Sequence, residues 1–254
     1  MNNQPPPELS IVVPFYNEEN CLIPVCSEII KVLTEGVDCP WELILVDDGS
    51  TDRTADLMDS LCTSTPPVKA VHISPNSGQS AALEGGFSVT RGTYIAVLDG
   101  DGQNDPRDIP ILMNELKLRD VHLMCGIRAN RTDTRLRKLS SKIANHIRNA
   151  ILKDNITDMG CAIRVFRRQC LERIQFFRNA HRFFPALMLR AGYTVSEMPV
   201  NHRPRIKGTS KYGMGIQNRL WTGIVDLAGV YWLTKRTLSY TIRENHATLN
   251  KEDQ

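Results

Sequence analysis

The stretch Tyr94-Ile95-Ala96-Val97-Leu98-Asp99-Gly100-Asp101-Gly102-Gln103 decides the fold prediction. Its apolar first half is rich in β-formers and predicts a buried strand that ends in a polar loop. Asp99 and Asp101 have the spacing that points two side chains the same way from an extended backbone. Two carboxylates, with the amide oxygen of Gln103 nearby, are typical ligands of Mg²⁺ or Mn²⁺. An ordinary solvent-exposed Asp-Gly turn has the same local sequence, so the surrounding chain must distinguish the two interpretations.

Strand and helix patterns alternate through the first half of the chain. Apolar runs predict strands at 9–14, 41–46, 68–73, 94–98 and 121–125, and the stretches between them have helical patterns. Continuous apolar strands separated by helices favour an α/β fold with a parallel, doubly wound sheet. In such a sheet, ligands bind at the carboxyl ends of the strands.

Four polar loops follow these strands and are predicted to meet at that edge. They contain Asn17-Glu18, Asp47-Asp48, Asn76-Ser77-Gly78 and Asp99-Gly100-Asp101. Because parallel strands end at the same edge of a sheet, the four loops predict one pocket. Their polar residues and glycines predict that its ligand is polar and phosphorylated.

Length and composition are those of a globular protein. The chain has 254 residues, 41% of them hydrophobic, and a net charge of +3, which fits one large domain or one domain with an extension. Seven cysteines without paired metal-ligand spacing predict free thiols in a reducing, cytoplasmic protein. No apolar run reaches the roughly 20 residues that a membrane-spanning helix needs. Residues 1–8 lack a signal-peptide pattern and are predicted to be disordered.

Basic residues dominate the segment from Arg128 to Lys153, in which Asp133 is the only acid. Apolar residues recur at helical spacing within it: Leu136, Leu139, Ile143, Ile147 and Ile151. A basic amphipathic helix of this kind is typical of a protein that lies on an anionic membrane surface. A surface helix whose apolar stripe faces the core has the same pattern, so both interpretations stay open.

Two later segments also carry positive charge or aromatic residues. The loop 202–212 is basic and rich in small residues, which suits a clamp that closes over phosphate. A solvated loop or a nucleic-acid contact would have a similar sequence. Residues 216–237 predict an apolar helix interrupted by Asp226, and its Trp and Tyr residues favour a membrane interface.

Six motifs in a fixed order resemble a known family: Val-Val-Pro-Phe-Tyr-Asn-Glu-Glu, Val-Asp-Asp-Gly-Ser-Thr-Asp, Asn-x-Gly, Asp-Gly-Asp-Gly-Gln-Asn-Asp-Pro, Asp-Met-Gly-Cys and Gly-Thr-Ser-Lys-Tyr. This order is similar to that of the inverting family 2 glycosyltransferases of GT-A fold. Within them it resembles the group of dolichol-phosphate mannose synthases and undecaprenyl-phosphate sugar transferases. The resemblance covers roughly residues 9–236. It implies metal-dependent transfer of a sugar from a UDP- or GDP-sugar to dolichyl or undecaprenyl phosphate, with the phosphate oxygen as nucleophile.

The resemblance also implies roles for individual residues. The donor would be bound by Pro14, Tyr16, Glu18, Asp47, Asp48, Asn76, Arg203, Arg205 and Lys211. The metal, Mg²⁺ or Mn²⁺, would be held by Asp99, Asp101 and Gln103. The acceptor phosphate would be bound by Arg128, Arg137 and Ser141. Asp158 matches an acceptor-side aspartate that would orient an arginine or a sugar hydroxyl. The implied catalytic residues are Asp101, Arg128, Arg137 and Asp158.

One departure from the family concerns the metal loop. Many relatives have Asp-Ala-Asp-Leu-Gln, whereas both spacers here are glycine, Gly100 and Gly102. We expect the glycines to loosen the loop while the metal ligands are kept.

The resemblance further implies how the chain is divided and where it acts. Residues 9–213 would form the GT-A catalytic domain, with a nucleotide-sugar half at 9–126 and an acceptor half at 127–213. An amphipathic C-terminal helix at 214–240 and a polar tail at 241–254 would follow. Some relatives continue into transmembrane helices, but this chain is expected to be peripheral at the cytoplasmic face of the membrane. A homo-oligomer or a membrane-protein partner is compatible with the sequence, and no nucleic-acid partner is expected.

Three alternatives stay open at this point. A related family 2 enzyme would use a sugar or other hydroxyl acceptor in glycan or cell-envelope synthesis and would need a carboxylate base. A nucleotidyltransferase would show a glycine-rich basic loop after the first strand, where this chain has Pro14-Phe15-Tyr16-Asn17-Glu18. A non-enzymatic module would bind a nucleotide-sugar or RNA, although the acidic cluster disfavours RNA.

Overall fold

The computed structural model of the protein describes residues 6–129, 145–205 and 216–236. Its strands are β1 (Leu9–Phe15), β2 (Trp41–Asp47), β3 (Val68–His72), β4 (Tyr94–Val97), β5 (Leu123–Arg128), β6 (Arg164–Arg167) and β7 (Val195–Val200). Its helices are α1 (Leu22–Gly36), α2 (Thr54–Ser64), α3 (Gln79–Ser88), α4 (Asp108–Leu118), α5 (145–152), α6 (Ala180–Arg190) and α7 (Ile216–Lys235), with a 3₁₀ turn at Arg168–Arg173.

All seven strands form one sheet in the order β3-β2-β1-β4-β6-β5-β7. β6 is antiparallel to both of its neighbours, β4 and β5, and the other pairs of adjacent strands are parallel. The prediction of an α/β fold with a mostly parallel, helix-flanked sheet is confirmed. β1 lies between β2 and β4, so the strand order reverses there, and a crevice opens at such a reversal.

Helices cover both faces of the sheet, which explains why the strands are apolar on both sides. On one face, α1, α2 and α4 pack on alternate strand residues such as Ile11 and Val13. On the other face, α3 and α6 pack on residues such as Val12 and Ile44. Gly86 of α3 is a close-approach position, because a Cβ there would lie 2.5 Å from the Val12 Cγ1 atom. The two faces therefore enclose two apolar cores, as a doubly wound sheet requires.

Helix α5 differs from the surface helix that the sequence predicts. Arg148, one of the predicted basic surface residues, is 3% exposed and its Nε lies 3.2 Å from the Asp154 Oδ2 atom. Ile147 and Ile151 are 50% and 39% exposed. In the described part of the segment the apolar stripe therefore faces solvent, and the interpretation in which it faces the core is wrong there. The physical reason is the ion pair with Asp154, which allows Arg148 to be buried.

Helix α7 has two apolar faces. Val230 is fully buried and packs against Ala180, Phe183 and Leu187 of α6. Trp221 and Trp232 are 68% and 59% exposed, and Val225 is also exposed. Across the part of the chain that the structure describes, every helix is too short or too polar to cross a bilayer.

Candidate active site

The predicted polar loops meet at the carboxyl edge of the sheet, beside the reversal between β1 and β4. They surround a cavity of about 240 Å³. The cavity is lined by Pro14, Phe15, Tyr16, Glu18, Asp48, Asn76, Gly78, Gln79, Ala82, Asp99, Gly100, Asp101 and Arg205. Residues that follow four separate strands thus meet in one cavity, as the alternation of elements predicts.

Hydrogen bonds between the loops hold this edge together. Asn17 has a left-handed backbone (φ 51°), and its Oδ1 atom accepts the backbone N–H of Thr51 at 2.6 Å. The backbone N–H of Asn17 in turn donates to the Ser50 Oγ atom at 2.8 Å. The loop after β1 is therefore bonded to the loop after β2, which fixes the position of Tyr16 and Glu18 at the cavity.

Asp48 and Asp47 have different positions although they are adjacent. The carboxylate of Asp48 accepts the Asn76 side-chain amide at 2.9 Å and the backbone N–H of Gly78 at 2.8 Å. Asp47 is 4% exposed and accepts the backbone N–H of Ser50 at 3.0 Å. Only Asp48 of the two lines the cavity, where it holds the loop after β3.

Asp99 and Asp101 place two carboxylates in the cavity wall. Asp99 accepts a hydrogen bond from the Gln79 Nε2 atom at 2.7 Å. Burial, followed by the nearby charge of Asp101, raises the pKa of Asp99 to about 6. Asp101 accepts the backbone N–H of Gln103 at 3.0 Å. The raised pKa means that nearby positive charge does not fully offset the burial of Asp99 and the charge of Asp101.

These residues fit a divalent cation. Their oxygen atoms are hard ligands of the kind that Mg²⁺ and Mn²⁺ take. Among the described residues no three His, Cys, Asp or Glu side chains form a ready metal cluster. Two carboxylates would therefore need ligands from outside the protein, and Mg²⁺ commonly takes them from substrate phosphates and water. The side-chain amide nitrogen of Gln103 is turned to the Arg203 carbonyl at 3.4 Å, so its oxygen remains for a metal.

Arg205 supplies a positive charge at this site. Its guanidinium bonds the Glu18 Oε1 atom and the Asp101 Oδ2 atom, each at 3.0 Å. Arg203, also predicted to bind the donor, instead pairs with Glu28 of α1 at 2.9 and 3.2 Å. Arg203 lines a separate surface hollow with Asp105 and Arg107, and it does not line the cavity at Asp99 and Asp101 in this structure. Arg203 lies away from its predicted position because its guanidinium is paired with the carboxylate of Glu28.

Arg128 and Asp158 form a second charged pair at the end of β5. The Arg128 Nε and Nη2 atoms donate to the two oxygens of Asp158 at 2.8 and 2.7 Å, and the Arg128 backbone N–H donates at 3.1 Å. Asp158 also accepts the backbone N–H of Gly160 at 3.1 Å. Asp158 thus orients an arginine, one of the two roles that the resemblance implies for it. The remaining predicted site residues, Arg137, Ser141 and Lys211, lie outside the described residues.

Five residues that line the cavity were not predicted as site residues: Phe15, Gly78, Gln79, Ala82 and Gly100. Gln79 opens α3 directly after the Asn-x-Gly turn, and that place at the carboxyl edge is the signal that identifies it. Gly100 was expected to loosen its loop, but a Cβ there would lie 2.5 Å from the Phe15 ring and 2.8 Å from the Pro14 carbonyl oxygen. Gly100 therefore allows close packing at this position, and the expectation that the two glycines loosen the loop stays a prediction.

Comparison with known proteins assigns the family. The chain is 37% identical over 247 residues to a dodecaprenyl-phosphate galacturonate synthase of Rhizobium johnstonii, covering 94% of this chain and 70% of that protein. It is 36% identical to an undecaprenyl-phosphate 4-deoxy-4-formamido-L-arabinose transferase of Pectobacterium carotovorum, covering 80% of this chain and 62% of that protein. The chain therefore spans about two thirds of the length of these relatives.

A solved structure shows the same fold. A mannosyltransferase from Pyrobaculum calidifontis in complex with GDP-Man and Mn²⁺ superposes with a TM-score of 0.62 at 19% identity, covering 91% of this chain and 64% of that one. This likeness supports the GT-A type of fold for the mixed sheet. The family described as Glycosyl transferase family 2 matches residues 10–175. With this match and these relatives, the chain belongs to glycosyl transferase family 2 and is a glycosyltransferase.

Proposed function

We propose that this protein transfers a sugar from a UDP- or GDP-sugar to a polyprenyl monophosphate, with inversion at the anomeric carbon. The relatives support this proposal, because they are named as a dodecaprenyl-phosphate galacturonate synthase and an undecaprenyl-phosphate sugar transferase. The observation that carries the proposal is the bidentate pair of Arg128 with Asp158. Asp158 pairs with an arginine in this structure, which favours a phosphate acceptor, because a hydroxyl acceptor would need a general base.

The cavity at Asp99 and Asp101 would bind the donor. Asp48 and Asn76 brace one wall, and Tyr16 and Glu18 form another. Asp99, Asp101 and Gln103 would hold Mg²⁺ or Mn²⁺, which when bound neutralises the charge that grows on the departing nucleoside diphosphate. Arg205 pairs with Glu18 and Asp101 in this structure. A bound diphosphate would compete for that guanidinium, which would then clamp the leaving group.

The acceptor phosphate would lie at Arg128. A phosphate dianion is itself a nucleophile, so the protein mainly positions it and stabilises charge. Asp158 fixes the plane of the Arg128 guanidinium, and a planar guanidinium has the geometry that suits a phosphate anion. The family resemblance implies that Arg137 and Ser141 would also bind this phosphate. The reaction then requires the acceptor phosphate and the donor diphosphate, both anions, to be held near each other. The positive charges of the arginines and the metal would reduce their repulsion.

A membrane surface is the proposed place of action, at its cytoplasmic face. Two observations support it: α5 exposes Ile147 and Ile151, and α7 exposes Trp221 and Trp232 on the side opposite to Val230. Lys235 and Arg236 lie at the end of α7, over the rings of Tyr231 and Trp232. Aromatic residues next to cations are typical of the bilayer interface. This arrangement would bring the cavity to a lipid-borne acceptor.

Vesicle binding tests the membrane proposal. The protein is sedimented with vesicles of phosphatidylcholine alone or with 30 mol% phosphatidylglycerol (about a third anionic lipid), a composition chosen for the charge of α7. We expect binding to the anionic vesicles and its loss in a Trp221→Ser/Trp232→Ser variant. Leu118→Ser is the matched control, because Leu118 is 80% exposed on α4. Equal vesicle binding by the double tryptophan variant and by Leu118→Ser would contradict the proposal that α7 contacts the membrane surface.

A transfer assay tests the donor side. The protein is incubated with short-chain polyprenyl phosphate and a panel of labelled UDP- and GDP-sugars, with Mn²⁺, Mg²⁺ or EDTA. We expect an organic-soluble product from one donor, lost in EDTA and in Asp101→Ala. Asp59→Ala is the control, because Asp59 lies on α2 and is 67% exposed at its side chain. Product formation that survives both EDTA and Asp101→Ala would refute the metal assignment.

A further inference from the structure

The acceptor side of the proposed site depends on an irregular loop. Residues 153–163 connect α5 to β6 without forming a helix or a strand. Asp158 lies in this loop and accepts hydrogen bonds from the Arg128 guanidinium with both of its carboxylate oxygens. The backbone groups of such a loop are bonded by neighbouring elements and not by a ladder of their own. The side chains that bond the loop backbone therefore also determine where the Asp158 carboxylate lies.

Glu197 of β7 holds this loop from the sheet. Its Oε2 atom accepts the backbone N–H of Thr157 at 2.8 Å, and its Oε1 atom accepts the backbone N–H of Asp158 at 3.3 Å. In the sheet, Glu197 is paired with Cys125 of β5, and Arg128 is the last residue of that same strand. One carboxylate thus connects the strands at Arg128 to the backbone of the residue that orients the Arg128 guanidinium.

Helix α5 bonds the same loop just before Asp158. The Asn145 Nδ2 atom donates to the Thr157 carbonyl at 3.0 Å, and the Arg148 Nη2 atom donates to the Ile156 carbonyl. These contacts hold the loop up to Thr157. Glu197 adds a contact at the backbone of Asp158 itself.

Arg128 fits closely against this loop. The Asp158 Oδ1 atom also accepts the backbone N–H of Gly160 at 3.1 Å, and a Cβ at Gly160 would overlap the Arg128 guanidinium. Bidentate pairing requires the carboxylate and the guanidinium to stay nearly coplanar. Because there is little room between the loop and Arg128, a small shift of the Asp158 backbone would disturb this geometry.

We propose that Glu197 is a positioning residue for the acceptor phosphate. By holding the backbone of Asp158, it keeps the Arg128 guanidinium in the plane in which it would bind the phosphate. This inference rests on the proposed function, in which Arg128 binds the acceptor.

The direction of the effect distinguishes positioning from simple electrostatics. By its charge alone, a carboxylate near an anion site weakens phosphate binding, so its removal would lower the KM for the acceptor. If Glu197 acts through its hydrogen bonds to the loop, its removal should raise that KM instead.

Three variants of β7 test the proposal in the full chain. Glu197→Ala removes both acceptor oxygens, whereas Glu197→Gln removes the charge and keeps one acceptor oxygen. Ser196→Ala is the control, because Ser196 is the neighbouring residue and its Oγ atom accepts a hydrogen bond from Arg119 at 3.0 Å. With Mn²⁺ present, KM is measured for short-chain polyprenyl phosphate and, separately, for the active nucleotide-sugar.

The proposal predicts a selective change in the KM for the acceptor. In Glu197→Ala this KM should rise about tenfold, the order expected when such hydrogen bonds are lost, while the KM for the nucleotide-sugar stays within about twofold. Glu197→Gln should give an intermediate value, and Ser196→Ala should resemble the wild type. A purely structural role would reduce the amount of active enzyme and leave both KM values unchanged.

Three kinetic results would overturn the proposal: an unchanged or lowered KM for the acceptor in Glu197→Ala, an equal rise in both KM values, or no difference between Glu197→Gln and Glu197→Ala.

A double-mutant cycle separates failure of this proposal from failure of the proposed function. Melting temperatures are compared for the wild type, Glu197→Ala, Asp158→Asn and the double variant, with Glu197→Gln used if Glu197→Ala does not fold. Asp158→Asn should lower the melting temperature less in the Glu197 variant than in the wild type, because the pair with Arg128 is already displaced there. An equal fall in both backgrounds would overturn the positioning role. If polyprenyl phosphate accepts no sugar, the proposed function is refuted, and this cycle still decides whether Glu197 positions the pair.

Discussion

Replacing Asp158 by asparagine tests whether the pair with Arg128 is the strong, desolvated interaction that the structure shows. The two side chains are 17% and 6% exposed, and two of their hydrogen bonds are shorter than 3 Å. Asparagine has nearly the same shape but offers Arg128 one acceptor oxygen and no charge. The substitution therefore leaves a largely buried guanidinium without its counter-charge.

The magnitude follows from this burial. Removing one partner of a buried ion pair costs about 3–5 kcal/mol, whereas an exposed pair is worth about 0.2–1 kcal/mol. Because Arg128 retains some exposure and asparagine retains one acceptor, we expect a loss of about 2–3 kcal/mol. For a chain of this size, roughly 2–4 °C of melting temperature correspond to each kcal/mol. The expected fall in melting temperature is therefore about 4–12 °C.

Thermal unfolding followed by circular dichroism measures this change. Glu115→Gln is the control, because Glu115 forms an exposed pair with Arg119 on α4, with side chains 29% and 42% exposed. It should lower the melting temperature by less than about 2 °C. If Asp158→Asn changed the melting temperature no more than Glu115→Gln, the reasoning from burial would be refuted.

The remaining predictions concern the donor cavity. Gly100→Ala should destabilise the protein by about 1–3 kcal/mol in urea unfolding, because the new Cβ would overlap Phe15. Gly36→Ala is the control, because a Cβ at Gly36 meets nothing within 4 Å. An equal loss of stability in both variants would contradict the packing argument. The folded-state pKa of Asp99, about 6, exceeds its ordinary value of 3.8, so the folded protein binds more protons between these values and its stability falls as pH rises through them. Asp99→Asn in EDTA should therefore raise the melting temperature at pH 7 more than at pH 4, and an equal change at both pH values would contradict the shift. Arg205→Gln should tighten Mn²⁺ binding, measured by electron paramagnetic resonance, because it removes the guanidinium that pairs with Asp101. Weaker Mn²⁺ binding in this variant would contradict the idea that Arg205 and the metal ion compete for Asp101.

The sequence was sufficient to predict the sheet and the place of the cavity. The apolar strands that come before Asp48 and Asp99 carry their own signal, because periodicity identifies the strand and topology identifies its carboxyl end. The direction of β6 could not be predicted, since the four-residue strand Arg-Val-Phe-Arg has the same pattern in either direction.

Long-range contacts explain what the sequence did not reveal in the site. The close contact of Gly100 with Phe15 joins residues 85 positions apart and has no local signature. Arg203 likewise pairs with Glu28, 175 residues away. Such partners depend on the packed tertiary structure.

A comparison of two acceptors tests the central claim most directly. Undecaprenyl phosphate and undecaprenol have the same lipid chain and differ in the phosphate that the proposal makes the nucleophile. With the active labelled nucleotide-sugar and Mn²⁺, we predict an organic-soluble sugar product from undecaprenyl phosphate and none from undecaprenol. Sugar transfer to undecaprenol, or to a soluble hydroxyl in place of undecaprenyl phosphate, would contradict the account.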